Sequence, residues 1–239
     1  MAKNIGLVGG FVGRFGNAVG YTNRGRQLIR VYQPKVYNPN TKRQQLTRER
    51  FKVLNAFART ASTGIGIGFN KVMAGFTRQA FIGRNMKGLF FKPQETDYNF
   101  DHLQLSDGPL PAPNRATATA GSGNQINVPI SGDTNAVGYD ADGTPMYVGV
   151  VVVAINENII GGIGEVACVT TTTMGSAVST IPSTVQISIP GSWSGSTVHV
   201  YAFFKQSAVP LNSIPASQWP WRTPFNASPT AYMGSVEII

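Results

Sequence analysis

Hydrophobic spacing divides this chain into three stretches. In the first, residues 3–37, glycines at 6, 9, 10, 13, 16, 20 and 25 fall too densely for a stable helix. Val19–Tyr21 and Gln27–Tyr32 read as strands, and Asn23-Arg24-Gly25 between them reads as a turn, so a hairpin is expected. Leu28, Ile29 and Val31 cannot all face one side of a regular strand. A bulge, or burial on both sides, is therefore expected there. Pro34 and Pro39 close this stretch, and Asn40 or Thr41 can cap a helix.

In the second stretch, Leu46, Val53, Leu54, Phe57 and Ala61 recur at helical spacing. They predict a helix from Lys42 to about Ala61, with Arg48, Lys52 and Arg59 together on the opposite face. Phe69, Val72, Met73, Phe76 and Ala80 predict a second helix over Phe69–Phe81, with Gly64, Gly66 and Gly68 separating the two.

From Tyr98 the period shortens to two. Strands are expected at Tyr98–Leu105, Arg115–Ala120, Gln125–Ile130, Met146–Ile155, Gly164–Thr173, Thr184–Ile189, Thr197–Phe204 and Ala231–Ile238. Their spacing and Gly, Asn and Ser turns fit an immunoglobulin-like antiparallel β-sandwich. Pro210–Pro229 interrupts the pattern with five prolines plus Trp219, Trp221 and Phe225. A loop of that length suggests either cover for the open edge of the sandwich or contact with a partner, with those three aromatics as the contact.

Charge sharpens the division. Residues 1–92 hold seventeen of the twenty Lys and Arg and a single carboxylate, Glu49, for a net +16; residues 93–239 are net −7. Charged residues make up only 13% of the chain, against about 25% in ordinary globular proteins, and low surface charge suits large contact surfaces. The expected organisation is a basic docking region, 1–92, of hairpin and two helices, followed by an antiparallel β-sandwich, 93–239. The overall class is mainly β with a small α+β N-terminal region.

A solvated helix face ordinarily mixes in carboxylates for i,i+4 pairing, and Glu49 alone cannot neutralise this one. Arg14, Arg24, Arg26, Arg30, Lys35, Lys42, Arg43, Arg48, Lys52 and Arg59 are therefore the candidate contacts to an anion. That anion is either nucleic acid, held through its phosphates, or an acidic protein surface such as the second half of a neighbouring copy. The bland alternative is a solvated face.

Candidate chemistry is sparse. No phosphate-cradling glycine loop occurs in a strand–loop–helix setting. His102, His199 and Cys168 lack the spacing of a zinc site, and Cys168 with His199 has no support as a nucleophile pair beyond coexistence. Cys168, the only cysteine, reads as a small buried hydrophobe in a strand and excludes an intrachain disulfide. Asp140-Ala141-Asp142-Gly143, with Asp133, makes a good turn and departs from a helix–loop–helix calcium site. No catalytic residues, cofactor or metal are expected. The longest strongly apolar run, Val148–Ile155, is far short of a membrane span. Met1–Tyr21 is not read as a secretory signal.

Several motifs resemble a known group. Gly9-Gly10-Phe11, Gly13-Arg14, Gly16, Val19-Gly20-Tyr21, Arg24-Gly25 and Ile29-Arg30 are followed by Asn38-Pro39-x-Thr41-x-x-Gln44, Arg48 and Phe51. Near the other end come Trp193-x-Gly195-x-Thr197-Val198-x-Val200-Tyr201 and Tyr232-x-Gly234-Ser235-Val236. Together these resemble a domain-of-unknown-function family of Bacteroidetes bacteria and their mobile elements. The Asn-Pro-x-Thr-x-x-Gln element is similar to small phage virion proteins. The resemblance implies architecture and context, not a reaction. Low charge density, glycine-rich extended arms and the lack of a catalytic motif add the expectation of a non-enzymatic structural protein of a phage virion or similar assembly, located in the particle, with other assembly subunits or its own copies as partners. The alternative is an intracellular, sequence-independent nucleic-acid-binding protein. The Pro210–Pro229 loop departs from the family's pattern.

Overall fold

The structure is a computed structural model of the chain. It describes residues 3–4, 11–23, 26–35, 39–69, 77–88, 90–93, 97–133, 137, 139, 143, 146–159, 167–174, 181–207 and 226–238. Two compact units are present, Met1–Lys42 and Arg43–Ile239. The charge boundary at residues 92 and 93 falls inside the second unit.

The first unit is one antiparallel sheet of four strands in sequence order: β1 (Lys3–Asn4), β2 (Phe11–Phe15), β3 (Ala18–Asn23) and β4 (Arg26–Val31). The expected hairpin is β3–β4, joined across residues 24 and 25 with Asn23 opposite Arg26. β2 turns into β3 through Gly16-Asn17, where Gly16 sits at φ +56°, a left-handed value that glycine tolerates. The expected bulge or two-sided burial around Leu28–Val31 does not occur. Pairing runs without a break from Ala18↔Val31 to Asn23↔Arg26, and every β4 residue is exposed.

The second unit is layered. Helix α1 (Lys42–Thr60) forms as the spacing predicts and buries Leu54, Phe57 and Ala58. Two further helices follow, α2 (Ser62–Gly68) and α3 (Thr77–Lys87). The expected helix over Phe69–Phe81 is thus displaced: Phe69 follows α2, residues 70–76 lie outside the described residues, and α3 starts at Thr77. The three glycines expected to separate helices lie within α2. A Cβ on Gly64 would sit 2.9 Å from Val153 Cγ2, and one on Gly68 would meet the Leu105 carbonyl. Close approach to neighbouring backbone and side chains here outweighs weak helix propensity.

After the helices come β5 (Thr119–Ala120), β6 (Gln125–Pro129), β7 (Tyr147–Asn156), β8 (Cys168–Met174), β9 (Thr184–Ser188), β10 (Thr197–Ser207), β11 (Asn226–Ala227) and β12 (Ala231–Glu237). They make two antiparallel sheets, β5-β6-β9 and β8-β7-β10-β12, with β11 beside β10 beyond the end of β12. The protein is therefore mainly β, with three antiparallel sheets and three described helices.

β7 shows why its sequence is apolar without alternation. Val148, Val150, Val152 and Ala154 join Ile126, Val128, Val185 and Ile187 in a core shared with the smaller sheet. Val151, Val153 and Ile155 join Leu54, Phe57, Ile65 and Phe81 in a second core under the helices. A strand covered on both faces needs apolar residues at every position. β10 does the same, with Val198, Val200, Ala202 and Phe204 on one side and Tyr201 and Phe203 on the other.

The segment expected as a strand over Tyr98–Leu105 is instead a 3-10 turn, Phe100–His102, flanked by extended chain. Only Tyr98 bridges, to Phe91. Side chains hold this segment in place of a ladder. Asn85 Nδ2 donates to the Gln104 carbonyl at 2.9 Å and Gln104 N–H donates back to Asn85 Oδ1 at 2.9 Å. Thr230 Oγ1 accepts from the N–H groups of Leu105 and Ser106, each at 2.9 Å. No helix among the described residues is long and apolar enough to cross a membrane.

Candidate anion-binding surface

Strand pairing assigns the faces of the N-terminal sheet. Arg14, Val19 and Arg30 lie in one cross-strand row, with Tyr21 and Leu28 in the next and Asn23 opposite Arg26 beyond it. Alternation puts all of these on one face. Arg14 lies over the ring of Tyr32 at 3.7 Å and Arg30 over that of Tyr21 at 5.7 Å. Arg14 Nε also donates to the Gly16 carbonyl at 3.1 Å, which fixes the arm at the turn. Arg14, Arg26, Arg30 and Lys35 are all exposed; Arg24 lies outside the described residues.

In the second unit, α1 presents Arg48, Lys52 and Arg59 on its exposed side, in line with Phe51, which is itself 43% exposed. The first two turns, Lys42 to Glu49, contain no buried residue, and no acidic residue occupies the first turn. Lys42 and Arg43 there oppose the helix dipole, at a cost of about 0.3–1 kcal/mol each at low salt. Burial in that half of α1 is confined to the half-buried Leu46, and end charge does not favour it.

Other cations of this region are structural. Arg50 Nη2 donates to the Lys92 carbonyl at 2.6 Å, and its guanidinium lies 5.0 Å from the Phe91 ring centre. Arg78 donates to Asn55 Oδ1 from Nε at 3.1 Å and Nη2 at 2.7 Å, tying α3 to α1. Arg84 pairs with Asp107 at 3.6 Å and Lys92 with Asp97 at 3.7 Å. Sequence reading overlooked these roles, although Arg50 carried a signal: it lies four residues before Leu54 and seven before Phe57, on the buried side of α1.

Trp219, Trp221 and Phe225 lie outside the described residues, as do Asp140 and Asp142. Asp133 is exposed.

Cys168 and His199 are not a reacting pair. Both sit opposite Ile155, on its two flanking strands, so two strand spacings of about 4.8 Å separate them. Burial pushes the Cys168 thiol up to about 12. His199 is instead clamped by other partners. Nδ1 lies 2.9 Å from the Tyr232 hydroxyl, Nε2 lies 3.1 Å from Glu157 Oε2, and Phe100 stacks on the ring with centroids 3.7 Å apart. Burial holds the imidazole below its ordinary pKa, against the pull of Glu157, and raises that of Tyr232. The neutral ring then donates from Nε2 to Glu157 and accepts at Nδ1 from Tyr232.

A cleft of about 310 Å³ lies elsewhere, lined by Gly83, Arg84, Asn85, Lys87, Gly88, His102 and Gln104. His102 is 3.6 Å from Asp101, so two basic groups of this cleft, Arg84 and His102, stand beside carboxylates.

A family model described as a family of unknown function, DUF6266, matches residues 10–212. The chain belongs to that family. The match takes in the N-terminal sheet from its second strand, all three helices and the strands through β10. It stops at residue 212, so most of the Pro210–Pro229 loop and the Tyr232–Val236 motif lie beyond it. No curated protein and no solved structure matches the chain.

Proposed function

We infer that this protein is a non-enzymatic structural component of an assembly, a phage particle or a similar one, and that its basic N-terminal third docks on a polyanion. The observation that carries the reading is the first unit. It is a four-stranded sheet in which Phe15, Ile29 and Val31 are 74%, 68% and 74% exposed and the opposite face carries Arg14, Arg26 and Arg30. A small sheet with little burial of its own needs a surface to rest on, and exposed apolar residues beside concentrated charge mark contact sites.

A nucleic-acid backbone suits the charged face best. Arg14 lies over Tyr32 there and Arg30 over Tyr21, a mix of cations and rings that allows phosphate contact and base stacking without sequence readout. The exposed Arg48, Lys52 and Arg59 of α1 extend the same chemistry to the second unit. An intracellular nucleic-acid-binding protein acting outside any particle is the second reading, because the same face would serve it.

The β body is the scaffold of this reading, in immunoglobulin-like form. Strand order supports that assignment: the first, second and fifth strands of the body form one sheet, and the third, fourth, sixth and last form the other, with the short seventh strand beside the sixth. The clamped, neutral His199 and the unreactive Cys168 favour structure over chemistry.

Sedimentation after nuclease treatment tests the reading. A large oligomer or particle-bound protein that binds added DNA or RNA at low salt and releases it as salt is raised is the expected result. A monomer with no affinity for DNA or RNA at low salt contradicts it.

A further inference from the structure

The arginine face of the N-terminal sheet has an order as well as a sign. Asn23 and Arg26 form one row, Tyr21 and Leu28 the next, and Arg14, Val19 and Arg30 the third. Tyr32 follows, since its N–H donates to the Asn17 carbonyl at 2.6 Å and carries the pairing one residue beyond β4. A cationic row therefore lies on each side of Tyr21, and successive rows are about 7 Å apart. Tyr21 is 38% exposed, with the Arg30 guanidinium 5.7 Å from its ring centre, so part of the ring stays open. Arg14 lies 3.7 Å over Tyr32 and makes a second platform of guanidinium and ring. No carboxylate precedes Glu49, so no side chain of the first unit, Met1–Lys42, neutralises these arginines.

We propose that this face takes single-stranded nucleic acid in preference to duplex, with unstacked bases on Tyr21 and on the Arg14–Tyr32 pair and the phosphates against Arg26 and Arg30. The proposal rests on the polyanion reading above and narrows it. Rings select bases over the carboxylates of an acidic protein, which would pair with the arginines and leave the rings unused. Spacing selects an unstacked strand. Tyr21 pairs with Leu28, four residues before Tyr32, so the two platforms stand about 14 Å apart at about 3.4 Å per residue. Duplex bases lie about 3.4 Å apart with both faces covered by their neighbours, and offer a ring no surface. Width agrees with spacing: four strands about 4.8 Å apart exceed a major groove that admits two. A duplex rests only its phosphates on such a face, whereas a single strand engages cations and rings together.

The test uses the full chain after nuclease treatment and fluorescence anisotropy on three probes of equal length. These are oligothymidylate, its duplex with oligoadenylate, and an abasic strand of the same phosphate charge. Wild type should hold oligothymidylate to higher salt than either of the others. This comparison needs no variant, so the proposal stays falsifiable even where a substitution disturbs folding. Tyr21→Leu should weaken oligothymidylate binding about 5- to 100-fold without changing the salt slope, since a stack is lost and no charge. Its affinity for the abasic strand should stay at the wild-type value, and Tyr21→Phe, which keeps the ring, should bind all three probes as wild type does. Duplex or abasic strand held as tightly as oligothymidylate overturns the proposal and leaves the polyanion reading standing, as does a Tyr21→Leu variant that binds oligothymidylate like wild type. Polyglutamate that displaces oligothymidylate as effectively as unlabelled oligothymidylate does overturns it in favour of an acidic protein surface. No binding to any probe at low salt refutes the polyanion reading, and this proposal with it.

Discussion

His199 Nδ1 lies 2.9 Å from the hydroxyl of Tyr232, an atom carried by the neighbouring strand β12. Together with Glu157 at 3.1 Å from Nε2, this bond joins the end of β7 to β10 and β12 through one neutral ring. Protonation would turn Nδ1 from acceptor to donor and force the Tyr232 hydroxyl to reverse its bond. The folded-state pKa lies below the ordinary 6.5, chiefly through burial. As pH falls below about 6.5 the unfolded chain takes up a proton that the folded ring resists, so stability falls; above that value this group contributes a constant amount. Thermal midpoints from about pH 5 to pH 8 check it. His199→Gln should flatten the acid limb and lower stability near neutrality by about 1–3 kcal/mol. An unaltered acid limb contradicts the assignment.

Lys205 works in the alkaline range. It is fully buried in β10 and burial lowers its pKa to about 8, from an ordinary 10.5. Between those two values the unfolded chain holds a proton that the folded chain has released, so this group makes stability rise with pH across that window. Lys205→Met should remove that rise in urea unfolding titrations. A Met variant with the same slope as wild type would show that Lys205 titrates normally.

The glycines of α2 separate packing from propensity. A Cβ on Gly64 would meet Val153 Cγ2 at 2.9 Å, whereas one on Gly66 would have no heavy atom within 4 Å. Gly64→Ala should destabilise by about 1–3 kcal/mol through overpacking. Gly66→Ala should stabilise by about 0.5–1 kcal/mol through helix propensity. Chemical denaturation of the two variants checks the pair, and equal effects would mean that α2 does not press on β7 as described.

Arg50 and Lys52 differ in kind although two residues apart. Arg50→Gln removes a 2.6 Å bond to the Lys92 carbonyl and a cation–π contact with Phe91, so it should cost about 1–3 kcal/mol of stability and leave polyanion affinity nearly unchanged. Lys52→Gln, at an exposed position of the same helix, should do the reverse. Parallel melting and DNA-binding measurements separate the two, and a loss of both properties in both variants would refute the distinction.

These residues also show what sequence could reveal. The helix α1 and the strands β6, β7, β9, β10 and β12 were legible because period, turn residues and β-branched runs agree at those places. α2 was not, because Gly64 and Gly68 are chosen for contact with Val153 and Leu105, which is a tertiary fact. The same holds for residues 98–105, where apolar alternation exists but Asn85 and Thr230 supply the bonds of a ladder. The stripe Arg48, Lys52 and Arg59 was legible as a helix face. Its separation from Arg50 was recoverable from helical phase, and the division at residue 42 was not, because charge runs on past it into helices that pack on the sheet.

The central claim is that exposed cations of the N-terminal third hold a polyanion through its charge. Its most direct test is the salt dependence of binding to a non-specific DNA duplex, measured by fluorescence anisotropy on wild type and on the triple variant Arg48→Gln, Lys52→Gln, Arg59→Gln. The account predicts a linear fall of log affinity with log salt for wild type, and a slope shallower by about 3 in the variant, roughly 0.9 for each phosphate that the variant leaves unneutralised. No binding by wild type at low salt, or a slope that the three substitutions leave unchanged, would contradict it.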